Sequence, residues 1–306
     1  MNRPRVLRFC ALLALAAGGA MVSAQTLLPS TPPKGFGASV TPAFEGWFDN
    51  PDGTHTFLIG YFNRNTASEV DVPLGPNNQF TPGNPDMGQP THLLTGRRYG
   101  MFVYTVPKEF AKTQKLTWSL TVNGVTSKVP FYMSPDYNIS PMQASEQGPH
   151  GYNLPPVLRF EPQGASFTGP LGTIAKAISR TATAGIPMPL DLAADDDAQY
   201  SSGANTPMNN APSPVELVIS KYRGPGAVTI AEPRAKMTAL KGGKPDQPFS
   251  GKASTTVTFS QPGEYMLHVT ANDYSGNGGG GAACCWTTAI VKVTVGSDAP
   301  RTTGGR

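Results

Sequence analysis

The chain has 306 residues with 24 basic and 20 acidic side chains, and only 14% of it is charged, against the ~25% usual in soluble domains. Glycine and proline number 34 and 31, about a fifth of the chain where ~12% is ordinary. With so little charge and so small an excess of basic residues, nothing suggests a polyanion or nucleic-acid partner, and the Gly/Pro excess spread among short apolar runs points to many turns.

Residues 1–24 read as a removable export signal. Arg3, Arg5 and Arg8 form the basic start, Cys10 to Met21 is an apolar run, and Val22-Ser23-Ala24 supplies small residues for cleavage before Gln25. The run is shorter than the ~20 residues a spanning helix needs, and no later stretch approaches that length. Cys10 does not fit a lipid-attachment site, because Arg8 and Phe9 stand where small residues belong. Removing the signal takes away three arginines and no acids, so the mature chain is nearly neutral. A soluble periplasmic or extracellular protein is expected.

An extension over 25–41 precedes a first β-sandwich, expected over 42–135. Phe44 to Phe48 runs into Asn50-Pro51-Asp52-Gly53, a turn in which Pro presets φ and Gly accepts a positive one. His55 to Phe62 is apolar on both faces, as in a strand buried on each side. The excursion from Pro73 to His92 is too long for a simple connector, and such loops are usually functional or flexible. Tyr99 to Val106 is a further strand. Leu116, Trp118, Leu120 and Val122 alternate with polar residues and lead into Asn123-Gly124, the preferred pair for a type I′ hairpin. Residues 136–156 form the expected linker. Leu171, Ile174 and Ile178 fit either a helical turn or an entry strand.

The second sandwich is expected over 157–296 and a disordered tail over 297–306. Ala184 to Asp197, Val215 to Ile230, Thr255 to Phe259, Pro262 to Tyr265 and Ala289 to Val295 carry a resemblance to polycystic-kidney-disease (PKD) and related immunoglobulin-like modules. The resemblance implies a β-sandwich with Tyr265 as a tyrosine corner. It departs from the family at Ile219, where these modules often carry a core Trp, and it lacks their Trp-Asp-Phe-Gly signature. The whole chain also resembles secreted bacterial proteins, which brings no activity with it. The expected fold class is therefore all-β, two immunoglobulin-like sandwiches in tandem after a signal peptide.

Candidate sites are few. Asp86, Gln89, His92, Arg97 and Arg98 place a base and cations in one polar loop, a set able to grip a carbohydrate or carboxylate beside Trp47 or Tyr61. The same composition suits a solvent-exposed turn. Asp195, Asp197 and Asp273, with Asp196 and Asn272, fall on two expected loops at one end of the second sandwich. Hard oxygen donors there suit Ca²⁺, although no Glu is present for a bidentate role, and a solvated acidic turn needs no ion. Cys284 and Cys285 are the only cysteines after the signal, so an intramolecular disulfide must be vicinal. No Cys-x-x-Cys spacing accompanies them, and His268 lies too far along its strand to ligate a metal with them. His268 alternates outward from Tyr265, Leu267 and Val269, so it is expected at the surface.

No Gly-x-Ser-x-Gly, His-Glu-x-x-His or phosphate-loop pattern occurs. The sequence reads as a non-catalytic binding, adhesion or envelope-support protein whose partner is a carbohydrate, a protein or the cell envelope. Two alternatives stay open: an enzyme with a dispersed site in the 73–98 loop, and a redox or metal protein built on Cys284 and Cys285.

Overall fold

The first eight strands arise from the alternating and apolar runs of the N-terminal half. They are β1 (Val40–Asp49), β2 (His55–Asn63), β3 (Val70–Asp71), β4 (Asn78–Thr81), β5 (His92–Leu93), β6 (Gly96–Val106), β7 (Leu116–Val122) and β8 (Val125–Phe131). The computed structural model describes residues 32–145, 152–160, 164–198, 213–242, 244, 247–273 and 284–297. The expected signal peptide, most of the tail and the glycine-rich run before Cys284 lie outside those residues. Among the described residues the chain is strand with two single 3₁₀ turns, and no helix is long and apolar enough to cross a membrane.

Strands β1, β2 and β6 form one sheet and β4, β7 and β8 the facing one, with β3 and β5 as a short separate ladder. The β1–β2 turn closes with Gly53 N–H on the Asn50 carbonyl at 2.9 Å, and Gly53 takes φ +83°. Both Asn123 and Gly124 have positive φ, 51° and 76°, and Val122 pairs with Val125, so the hairpin forms as its dipeptide demands. Phe57, Ile59 and Tyr61 of β2 meet Phe80, Trp118, Leu120 and Phe131 across the core. Phe80 stacks on Trp118 at 5.8 Å, and Phe102 meets that indole edge-on at 5.3 Å. The Pro73–His92 excursion is thus no simple connector: it contributes β4 to a sheet. Buried Asn78 pins it, donating to the Val72 and Pro90 carbonyls and accepting from the Trp118 indole.

The expected linker holds a 3₁₀ turn at Pro135–Tyr137 and a small ladder of β9 (Ala144–Ser145) with β10 (Tyr152–Asn153). The C-terminal strands are β11 (Val157–Phe160), β12 (Ser166–Thr168), β13 (Ile178–Thr183), β14 (Met188–Asp196), β15 (Val215–Arg223), β16 (Val228–Ile230), β17 (Thr238–Lys241), β18 (Phe249–Phe259), β19 (Gly263–Asp273) and β20 (Trp286–Gly296). One sheet runs β12-β11-β14-β18-β16, with β17 also on β18, and the other runs β13-β20-β19-β15. Ile174–Lys176 is a single 3₁₀ turn and Ile178 opens β13, which lies parallel to β20. Leu190, Leu192, Leu217, Ile219, Val257, Leu267, Val269, Val291 and Val293 fill the space between the sheets. The Tyr265 hydroxyl donates to the Gln261 carbonyl at 2.9 Å, the bond that defines a tyrosine corner.

The two sandwiches share a buried seam. The faces of β15, β19 and β20 that point away from their own core carry Tyr222, His268, Trp286 and Ile290, and all four are buried. Tyr222 and Ile290 join the N-terminal core, while Trp286 packs with Leu58 of β2 and Val103 of β6.

Candidate functional site

The 73–98 loop meets the end of β15, and most of its chemistry is engaged in that contact. Asp86 takes both ends of the Arg223 guanidinium, at 2.8 and 3.0 Å, and also accepts from the Gly88 N–H at 2.9 Å. The hydrogen bonds from Arg223 hold the Asp86 carboxyl below the ordinary aspartate range, against partial burial. Arg223 Nε reaches the Gln89 carbonyl at 2.9 Å. The Gln89 side chain is fully buried, accepting from Met87 N–H and donating to the Pro85 carbonyl at 2.7 Å. Between these bonds Tyr222 enters the N-terminal core, its hydroxyl on the Gly88 carbonyl and its own carbonyl accepting from Thr91 N–H at 3.2 Å.

His92 sits between two acids. Its Nδ1 faces Asp71 and its Nε2 faces Glu69, each at 2.9 Å, and Lys221 of β15 reaches Asp71 at 3.2 Å. The His92 hydrogen bond lowers the Glu69 pKa against burial. Burial works against Asp71 as well, but His92 and Lys221 outweigh it and hold that carboxyl below its usual value. With a carboxylate on each ring nitrogen, His92 offers no open position to a substrate proton.

The two arginines separate. Arg97 grips Glu45 with both carboxylate oxygens, at 2.6 and 2.7 Å, and lies over the Tyr99 ring at 4.2 Å. Burial raises the Glu45 pKa even so. Arg98 turns the other way, into a groove beside His92. The aromatic platforms expected from sequence are closed. Trp47 is buried with its indole on the Ser134 carbonyl, and Tyr61 is fully buried with its hydroxyl accepting from Leu94 N–H at 2.8 Å. Of the five predicted residues, only Arg98 and the buried His92 line the same groove.

No protein-family model and no curated protein matches the chain. Among solved structures it is similar to domains 4 and 5 of the S-layer protein SbsC, at 11% identity over 84% of this chain and 98% of that one, with a TM-score of 0.21. It is also similar to the D00–D0 domain of intimin, at 12% identity over 84% of this chain and all of that one, with a TM-score of 0.22. Scores this low carry no functional argument.

The groove itself is about 780 Å³, bounded by Glu69, Asp71, His92 and Arg98 on one side and by β15, β16 and Arg234 on the other. Behind it lies a recess of about 150 Å³ lined in part by His268, Thr270 and Asn272. His268 is 3% exposed, which corrects the surface position expected from its alternation. It does point away from its own sandwich, as expected, but the N-terminal unit covers that face. Burial lowers its pKa to about 4, so the ring is neutral near pH 7; a hydrogen bond with the Met101 backbone opposes the lowering and nearby Arg98, a smaller influence, adds to it.

The acidic end of the C-terminal sandwich differs in detail from expectation. Asp195 and Asp196 lie within β14 rather than on a loop after it. Asp195 holds Arg159 in an ion pair on the outer face. Asp196 points inward, is 8% exposed, and has its pKa pushed up to about 8 by burial and then by the charges of Asp273 and Asp197. Asp197 accepts from Leu154 N–H at 3.3 Å, and Asp273, itself buried, holds the Asn153 amide. Among the described residues no three His, Cys, Asp or Glu side chains are grouped to hold a metal ion. Close by, Cys284 and Cys285 are joined by a disulfide with Cα atoms 3.1 Å apart, both buried, and Cys285 Sγ lies 3.4 Å from the Asn153 carbonyl.

Sequence reasoning missed Lys221, Tyr222 and Arg223. They form a basic-aromatic-basic run at the end of a strand, but nothing local says which surface that run meets.

Proposed function

We propose that the protein is an exported, non-catalytic binding, adhesion or envelope-support protein whose two sandwiches act as one stiff unit. The reading rests on the Asp86–Arg223 contact: the one long, chemically rich loop is engaged in joining the sandwiches rather than in presenting reactive groups. An aromatic inserted into a neighbouring core and a bidentate ion pair favour a fixed angle between domains, which suits transmission of load or display of a surface. The enzyme alternative loses its base, because His92 is held on both ring nitrogens. The redox alternative would need the Cys284–Cys285 pair exposed, and both residues are buried.

The test is a glycan array and an envelope pull-down with the mature protein, with and without calcium, beside a broad substrate-turnover screen. Capture by glycan or envelope material without turnover supports the reading. A turnover that His92→Ala abolishes overturns it.

A further inference from the structure

The seam contains a polar hollow that its own residues do not satisfy. The 780 Å³ groove and the 150 Å³ recess adjoin, with Leu94, Arg98, Val218, Ser220 and Arg234 lining both. The groove alone falls within the ~300–1,000 Å³ of small-molecule sites. Two buried atoms of residues lining the recess lack a well-formed hydrogen bond: Nε2 of His268, on a 3% exposed ring beside the Met101 backbone, and Oδ1 of Asn272, 6% exposed. Leaving such an atom dry costs about 1–3 kcal/mol. Both atoms are closed off in the free protein, and a ligand group that hydrogen-bonds them recovers that cost.

Charge narrows the choice. Every carboxylate lining the hollow already has a partner: Glu69 and Asp71 are on His92, Asp71 also on Lys221, and Glu216 on Arg234. Arg98 is different. Its Nε donates to the Thr95 carbonyl at 2.9 Å, but its terminal nitrogens meet no acceptor among the described residues. Glu69 lies near enough to feel its charge but is hydrogen-bonded to His92 instead, so this half-buried guanidinium keeps a free fork for a carboxylate.

We propose that this hollow binds a sugar acid, with its carboxylate on the Arg98 fork and its hydroxyls on Asn272 Oδ1 and His268 Nε2. A simple aliphatic acid leaves the two deep atoms unpaired, and a neutral sugar leaves Arg98 unpaired. A phosphate dianion meets about twice the repulsion from Glu69, Asp71 and Glu216 that a singly charged sugar acid does. Leu94 and Val218 present apolar surface to the C–H face of a sugar ring. The proposal goes beyond the support role above and stands without it.

The experiment is isothermal titration of the mature protein with D-glucuronate and D-galacturonate, beside D-glucose and D-galactose, repeated on Arg98→Gln and Asn272→Leu. At least one uronate is expected to bind saturably. Its neutral parent, and the same uronate on Arg98→Gln, are expected to bind about tenfold or more weakly. Asn272→Leu is expected to weaken the uronate while raising the thermal midpoint of the free protein, because it removes a buried atom that lacks a partner. Silence toward both uronates at millimolar concentration overturns the proposal. So does uronate binding that Arg98→Gln leaves unchanged, or an Asn272→Leu protein that loses stability but keeps its affinity.

Discussion

Tyr222 and His268 stack with ring centroids 5.7 Å apart and planes 20° from parallel, one inserted into the N-terminal core and the other neutral beneath it. The pair makes the seam acid-sensitive. A histidine whose folded pKa is depressed below the unfolded value of ~6.5 stabilises fully above that value and loses its contribution as pH falls through about 4. Below pH 4 that contribution is gone, a loss of roughly 3 kcal/mol given the distance between the folded and unfolded values. Urea unfolding of the native protein between pH 7 and pH 4 is expected to show this loss, and His268→Phe to flatten the slope. An unchanged slope in the variant removes His268 as its source.

Arg223→Ala removes the bidentate bond to Asp86 and the bonds to the Gln89 carbonyl together. Because Asp86 is half-exposed, solvent screening limits the ion pair, and a loss of about 1–2 kcal/mol is expected. A double-mutant cycle with Asp86→Ala should give a coupling of ~0.5–1.5 kcal/mol in urea midpoints. A coupling near zero would mean that the seam holds without this pair.

Much of the fold was legible because the signals that specify it are local. The Asn123-Gly124 turn, the Leu116 to Val122 alternation and the Tyr265 corner each depend on a few neighbouring residues. The seam was not legible, for the same reason inverted. Outward residues on β15 and β19 look like surface positions, and only a second domain, distant in sequence, decides that they are buried. His268 kept its predicted direction and lost its predicted environment. The 73–98 loop stood out in the sequence for its chemistry, but its partner, Arg223, stands 137 residues from Asp86. Arg97 and Arg98, adjacent on an extended strand, necessarily diverge, so a site containing both was the less physical expectation.

Gly100 is a point of close approach between the two sandwiches. It holds φ +48°, and a Cβ there would lie 2.4 Å from the Trp286 ring. Gly100→Ala therefore combines a left-handed backbone cost of ~1–2 kcal/mol with displacement of a buried indole. A fall in the thermal midpoint and a red shift in tryptophan emission are expected together. A variant with unaltered emission would place Trp286 elsewhere.

Asp196 gives the opposite pH signature from His268. Its folded pKa, about 8, lies above the unfolded value, so the protonated acid stabilises the fold fully below pH ~4 and that contribution is lost as pH rises through 8. Burial and the neighbouring charges of Asp273 and Asp197 both favour the neutral form, and Asn is close to its shape without the charge. Asp196→Asn is thus expected to leave stability near pH 4 little changed and to raise it by a few kcal/mol at pH 9, since each pH unit separating the folded and unfolded values is worth about 1.4 kcal/mol. Thermal unfolding at the two pH values measures the difference. Equal effects at both would show that Asp196 is ionised in the folded protein throughout, its charge offset by something other than a proton.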